Sequence, residues 1–328
     1  MIYATDLCNA RCKHCYIWDK KPKHSLPFEQ IKKIVKSKAV TKNTLIGLEG
    51  GEFILHPEYE KIIKYLKTEH PNFDLLSNCV NLFKLISIVK QYPPKRLYLS
   101  LDGLETTHNN MRGVKDLYPK VIKAIEELHA IVPISVMFTL SPFNDFGDLK
   151  AVINICKNYG VDLRIGIYNN MEYFETKVNV DDTDSLSYQI KDIPEEVKIF
   201  DENYDFMALY TSYRNKQVVL PCLSIRDSIV IYPNGDIPLC QNKQTILGNL
   251  YNEPLHKIIN KKSTKRLHKE SYNCNGCWIN FHRKYDIVLL RSMEKFLPKQ
   301  IVSLLFGKYR WNNDKSIKYS NFIAGIKK

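Results

Sequence analysis

Through the first half of the chain, short apolar runs alternate with segments whose apolar residues recur every three or four positions. Val121, Ile122, Ile125 and Leu128 show the second pattern, which lays one apolar stripe along a helix. The runs Ile2–Thr5, Thr44–Leu48, Phe73–Leu76, Arg96–Leu101, Ile134–Leu140 and Asp162–Tyr168 predict strands. Between them Phe28–Lys36, Tyr59–Lys67, Leu82–Lys90, Tyr118–His129 and Leu149–Tyr159 predict helices. Six strands alternating with helices, joined by right-handed crossovers, imply an α/β fold: a partial parallel (β/α)6 barrel. Such folds place their chemistry at the carboxyl ends of the strands.

The alternation ends near Asn170. Residues 170–206 carry 11 acids against three lysines, the composition of a linker, lid or surface insertion. From Val218 the texture changes to short strands, turns and cysteines. Ser228–Tyr232 and Ile237–Leu239, around Pro233-Asn234-Gly235-Asp236, suggest a hairpin. The expected organisation is a core over 1–205 with an acidic insertion near 170–205, and a smaller C-terminal α+β module over 206–285. A basic amphipathic tail follows over 286–328. In it Ile287, Leu290, Met293 and Leu297 fall at helical spacing, either to pack over the barrel's open end or to lie on anionic lipid.

Composition narrows the classes without choosing one. With 328 residues, 44% hydrophobic and 25% charged, the chain is neither disordered nor collagen-like. No apolar run reaches the ~18 residues of a membrane span, and the first residues carry no secretory pattern, so a cytoplasmic protein is expected. The net charge of +13 is unevenly spread: residues 283–328 carry 11 Lys and Arg against three acids. No base-reading motif accompanies that charge, and the acidic stretch would repel phosphate, which argues against nucleic acid.

Nine cysteines, an odd number, argue against a disulfide framework, and seven of them fall into two spaced groups. Cys8, Cys12 and Cys15 follow the first strand at CxxxCxxC spacing. Three thiolates from one loop can hold three irons of a four-iron cluster and leave the fourth open to a ligand. A zinc site that adds His14 is the plainer alternative.

On these residues the chain resembles the radical S-adenosylmethionine (SAM) enzymes. That resemblance implies that the open iron chelates SAM, whose reductive cleavage yields a 5′-deoxyadenosyl radical that removes hydrogen from a substrate. It also implies roles for His14, in the position of an adenine contact, and for Tyr16 in the aromatic stretch after Cys15. Gly50-Gly51-Glu52 resembles the family's GGE motif, whose carboxylate suits the SAM ammonium, although Phe53 stands where proline is common. Ser100-Leu101-Asp102-Gly103, His108 and Arg112-Gly113 resemble the S-x-D-G…H…R-G signature. Ser100 and Asp102 are then partners for the SAM ribose or carboxylate, with Asn78 at the neighbouring strand end. His108 and Arg112 serve equally well as helix caps or surface pairs. Gly166 either leaves room for adenine or is a plain strand glycine. Cys79, beside Asn78, is either a hydrogen-atom donor or a small buried residue.

The second group, Cys222, Cys240, Cys274 and Cys277, follows C-x12-G-x4-C and then CxxC after 33 residues. Four such sulfurs suit zinc or a closed four-iron cluster. Downstream of a radical SAM core the arrangement resembles the SPASM and shortened twitch auxiliary domains. No cysteine follows Cys277, so one auxiliary cluster with full cysteine ligation is expected. The implied cofactors are SAM, a SAM-binding 4Fe-4S cluster and one auxiliary 4Fe-4S cluster. The implied partner is an electron donor such as flavodoxin or ferredoxin. A small molecule or a sugar- or lipid-linked substrate, oxidised or otherwise modified, is favoured because no peptide-binding domain precedes Cys8; a ribosomal peptide is the alternative. A zinc-stabilised protein binding nucleic acid or membrane is the non-enzyme reading.

Overall fold

The computed structural model describes residues 1–168, 171–174, 201–218, 220–274, 277 and 280–308. Most of the acidic stretch and the last twenty residues of the tail therefore lie outside the described residues. One sheet of six parallel strands runs in chain order: β1 (Ile2–Thr5), β2 (Ile46–Gly50), β3 (Phe73–Ser77), β4 (Arg96–Ser100), β5 (Ile134–Leu140) and β6 (Asp162–Ile167). Helices α1 (Phe28–Val35), α2 (Tyr59–Glu69), α3 (Leu82–Gln91), α4 (Glu105–Arg112), α5 (Leu117–Leu128) and α6 (Phe146–Tyr159) fill the crossovers. This is the expected α/β architecture.

Two differences from expectation have local causes. Helix α6 starts three residues earlier than its apolar stripe because Asp145 caps it, with Asp148 closing a capping box. Helix α4 has no apolar stripe to announce it. It ends at Gly113, which takes a left-handed φ of 63°.

The sheet has two chemically different faces. Leu48, Leu75, Leu97, Leu99, Val136, Phe138, Leu163 and Ile165 are buried in one core with the helices. The alternating Glu49, Leu76, Tyr98, Met137 and Arg164 are only half-buried, on the inner face of the partial barrel. Low on that face, Arg96 donates to Ser135 Oγ at 2.8 Å, Ser135 donates to Asp162 at 2.8 Å, and Arg164 pairs with Asp162 at 2.9 Å. Period-two alternation thus separates a packing face from a polar cleft.

The second module is built on the antiparallel hairpin β7 (Asp236–Cys240) and β8 (Lys243–Asn249). The expected hairpin put Ser228–Tyr232 opposite Ile237–Leu239. Instead Ile231 pairs with Ile2 on the free edge of β1, through Tyr3 N–H to Ile231 O at 2.9 Å and Ile231 N–H to Met1 O at 3.1 Å. An unpaired sheet edge competes well for a nearby strand. Tyr3, Tyr173 and Tyr232 stack across this seam, the last two with centroids 3.8 Å apart. Gln241, next to Cys240, donates to the Tyr3 hydroxyl.

Helices α7 (Asp201–Arg214), α8 (Leu255–Asn260), α9 (Lys262–Ser271), α10 (Asn280–Met293) and α11 (Lys299–Phe306) complete the described chain. A bidentate pair joins α10 to α7: Arg291 Nε and Nη2 donate to Asp205 at 2.9 and 2.7 Å. Pro298 separates α10 from α11, so the expected tail helix is two helices. Val302 is buried on α11 while Leu304 and Leu305 are exposed. Among the described residues no helix is long and apolar enough to cross a membrane.

Glu49 supplies a pH test of the inner face. Burial, with Asp74 adding and the chain's amino group opposing, raises its carboxyl from 4.5 to about 7. The folded state therefore binds this proton more tightly than the unfolded chain does, and the stability it confers is lost as pH rises from about 4.5 through 7. Glu49→Gln should gain stability relative to wild type by ~1–2 kcal/mol at pH 8 and by less at pH 5. Urea melts at the two pH values check this, and a pH-independent difference would contradict it.

Candidate functional site

At the carboxyl end of the sheet, the loop carrying Cys8, Cys12 and Cys15 is gripped from two sides. On the first, the Gly50-Gly51-Glu52 strand end is stitched to the chain just before Cys8: Gly51 N–H donates to Thr5 O and Glu52 N–H to Leu7 O, both at 2.7 Å. A Cβ on Gly51 would sit 2.2 Å from Leu7 O, so this approach requires glycine. On the second, the end of α4 binds the loop backbone, with Arg11 N–H donating to Arg112 O and Lys13 N–H to Met111 O, both at 2.9 Å. Gly113 lies against Arg11 so closely that a Cβ would meet its carbonyl oxygen at 2.6 Å.

Side chains complete the grip. Arg112 Nε donates to Asp102 Oδ2 at 2.6 Å, and its Nη1 reaches Cys12 Sγ at 3.9 Å. Asp102, fully buried, also accepts the Thr139 N–H at 3.1 Å, while its own N–H donates to His108 Nδ1 at 3.1 Å. Burial opposes the Asp102 charge, but the Arg112 guanidinium holds the carboxyl well below the usual carboxylate range. Asn144 Nδ2 ties this turn together by donating to the Asp102 and Thr139 carbonyls.

Glu52 is buried, and its two oxygens accept from Ser77 Oγ at 2.9 Å and Asn78 N–H at 2.7 Å. Burial raises its carboxyl to about 7 despite those donors. Asn78 in turn reaches Cys8 Sγ at 3.9 Å and Asn9 Oδ1 at 3.1 Å. Of the residues singled out in the sequence, Glu52, Asn78, Asp102, His14 and the three cysteines therefore share one neighbourhood. Ser100 is buried at the carboxyl end of β4, beside Met137 of β5. Tyr16 lies with its ring tilted against Trp18 at 5.9 Å. Gly166 of β6 pairs with Thr139 of β5, and a Cβ there would make only ordinary contacts of 3.8 and 3.9 Å. Cys79 is completely buried in the apolar core at a left-handed φ of 63°.

The donor set fits a cationic iron-sulfur cluster. All nine cysteines are unbridged. Burial pushes the Cys8 thiol up to about 12; burial raises Cys12 too, with Arg112 opposing and Asp102 adding, and burial with the neighbouring Cys12 and Cys8 raises Cys15. Thiols so placed become thiolates when a cation offsets their charge. Among the described residues no three Cys, His, Asp or Glu side chains close on a single point as ligands of one ion do. A four-iron cluster takes one sulfur per iron, so it does not need that convergence. Two buried ring atoms beside the loop, His14 Nδ1 and His108 Nε2, have no hydrogen-bond partner. Burial and the Arg112 charge lower His14 to about 4, so its ring is neutral and suited to an uncharged contact such as an adenine.

In the second module Cys240 ends β7, and its thiol is raised by burial and by the nearby Cys222 and Cys274 sulfurs. Cys222 is fixed by its N–H to Tyr272 O at 2.7 Å and by His268 Nε2 at its carbonyl, 3.2 Å away. Cys274 caps the end of α9 through Ser271 O at 2.9 Å, with Cys277 half-buried three residues on.

Comparisons with known proteins agree with this chemistry. Residues 2–162 match the model of the radical SAM superfamily, and residues 222–278 match SPASM, an iron-sulfur cluster-binding domain. The chain therefore carries a radical SAM domain followed by a SPASM-type iron-sulfur cluster-binding domain, with SAM and 4Fe-4S clusters as cofactors.

Its similar proteins include the sporulation killing factor maturation protein SkfB of Bacillus subtilis, 21% identical over 82% of this chain and 66% of that protein. They also include the antilisterial bacteriocin subtilosin biosynthesis protein AlbA of the same species, 24% identical over 85% and 68%. The chain thus spans about two-thirds of each. A GTP 3′,8-cyclase of a Sulfurovum species is 26% identical over 54% of this chain and 55% of that protein. The solved structure of anSMEcpe with bound AdoMet covers 99% of this chain and 97% of its own at a TM-score of 0.59 and 14% identity, which is a likeness of fold.

Sequence reading left Arg112 and His108 undecided. The available signal was the Arg-Gly pair closing a polar helix, which the structure turns against the cysteine loop. Gly51→Ala should push the Leu7 carbonyl away and displace Cys8, at ~1–3 kcal/mol of stability. Iron uptake on anaerobic reconstitution should fall with it, and unchanged uptake would show that the close approach is dispensable.

Proposed function

We infer that this chain is a peptide-modifying radical SAM enzyme of an oxidative kind. The observation that carries this reading is the extent of likeness. Resemblance to a killing-factor maturation protein and a bacteriocin biosynthesis protein runs over more than four-fifths of the chain, whereas the GTP 3′,8-cyclase resemblance covers about half. When bound and reduced, the SAM-loaded cluster supplies a carbon-centred radical that takes a hydrogen atom from a substrate carbon.

The chain's own residues do the rest. Cys8, Cys12 and Cys15 hold three irons, and Glu52 and Ser100 orient SAM from the ends of β2 and β4. The half-buried inner face with Glu49, Tyr98 and Met137 receives the substrate. Cys222, Cys240, Cys274 and Cys277 would hold the auxiliary cluster, which would supply a sink for the electron given up as the substrate radical loses a proton. A low-potential donor of the flavodoxin or ferredoxin class renews the reduced state. Cys79, sealed in the core, has less support as a hydrogen donor than its position in the sequence offered. A small-molecule substrate is the second reading, favoured by the cyclase likeness.

The test supplies the reconstituted protein with SAM, dithionite and a synthetic peptide library, and in parallel with GTP and a panel of sugars. The peptide reading expects 5′-deoxyadenosine above the substrate-free rate together with a peptide that loses two hydrogens. Stimulation by nucleotides or sugars alone would replace it with the second reading.

A further inference from the structure

The ion pair at Asp102 has a role toward the cluster that its place in the S-x-D-G segment does not suggest. Asp102 is fully buried, and the structure directs its oxygens to Arg112 and to the Thr139 N–H. Arg112 is also buried, and the attraction of Asp102 holds it charged against the opposing effect of burial. Its remaining reach is toward a cluster ligand, Nη1 to Cys12 Sγ at 3.9 Å. Its backbone carbonyl and that of Met111 fix Arg11 and Lys13 on either side of Cys12. Hydrogen bonds to ligand sulfurs and nearby net charge are the protein's means of setting a cluster's potential.

We propose that Arg112 is a positioning residue that sets the electron affinity of the SAM-binding cluster: held by Asp102, its guanidinium donates to the Cys12 sulfur and eases one-electron reduction. Asp102 has the opposite sign and tempers the effect, and His108, accepting the Asp102 N–H, fixes the turn from which the carboxylate projects. The step gains one electron from a low-potential donor, with no bond made and no proton moved. The inference rests on the radical SAM assignment and not on the nature of the substrate.

The experiment is an EPR-monitored redox titration of reconstituted full-length protein with dithionite, without SAM or substrate, alongside iron quantification. Arg112→Gln should need a more negative potential, with the reduced-to-oxidised ratio at a fixed potential falling about tenfold, which is 59 mV for a one-electron couple. Arg112→Lys keeps the charge and loses the fork, so its shift should be smaller and in the same direction. Asp102→Asn removes the tempering charge and should shift the potential the other way.

Because Arg112→Gln leaves Asp102 buried without its cation, the double variant Asp102→Asn/Arg112→Gln provides a second comparison. It should be harder to reduce than Asp102→Asn alone. Equal potentials in that pair would overturn the proposal. Shifts of the same sign for Arg112→Gln and Asp102→Asn would also overturn it, since a merely structural role moves both alike. The Cys222 cluster signal, unmoved in every variant, is the internal reference.

Discussion

The ion pair between Arg112 and Asp102, 2.6 Å long and shut away from solvent, is the interaction on which the cysteine loop depends. Breaking a buried pair by removing one partner typically costs about 3–5 kcal/mol, because the other charge is stranded. Here the loss would reach further. Arg112 touches Cys12 through its side chain and Arg11 through its carbonyl, so the position and the electrostatic surroundings of the same thiol rest on one residue. On the opposite side, Gly50 and Gly51 let the backbone of β2 close on residues 5–7 without intervening side chains. The loop is thus held by a buried charge pair and backbone hydrogen bonds on one side, and by hydrogen bonds across a close glycine contact on the other.

The rest of the molecule serves that loop. Helices cover one face of the sheet with a continuous apolar core, which leaves the other face free to be polar. Its charged layer at Arg96, Asp162 and Arg164 lies toward the amino ends of the strands, away from the cysteines. The free edge of β1 does not stay open. The segment around Ile231 pairs with it, and the Tyr3–Tyr173–Tyr232 stack seals the join. Gln241, next to Cys240, donates to Tyr3 of that stack, so the strand that leads into Cys8 also anchors the auxiliary module.

What could be read beforehand follows from how local each signal is. The six strands and five helices were legible because burial on one face leaves an apolar period in the sequence. The cysteine spacing and the GGE segment were legible because a cluster and a close backbone approach both demand particular residues. Helix α4 was not, since Glu105-Thr106-Thr107-His108-Asn109-Asn110-Met111-Arg112 carries no stripe and is held by tertiary partners. The expected hairpin partner of Ile237–Leu239 was lost to the edge of β1, a competitor distant in sequence. The S-x-D-G resemblance made Asp102 a partner for the SAM ribose or carboxylate; its engagement by Arg112 was not legible, because it depends on a helix turn ten residues away. A larger separation hid the Arg112–Cys12 contact, which joins residues 100 apart.

At the centre stands the claim that two cysteine groups hold two distinct clusters and that only the first is open to SAM. EPR of the reduced, reconstituted protein, with and without SAM, tests it against a variant in which Cys8, Cys12 and Cys15 are all alanine. Wild type should carry about eight irons and the variant about four, as two four-iron clusters require. The wild-type spectrum should change on adding SAM, while the variant's remaining signal should not respond. A variant that keeps the SAM-responsive signal, or a wild-type protein with zinc in place of iron, would contradict the account.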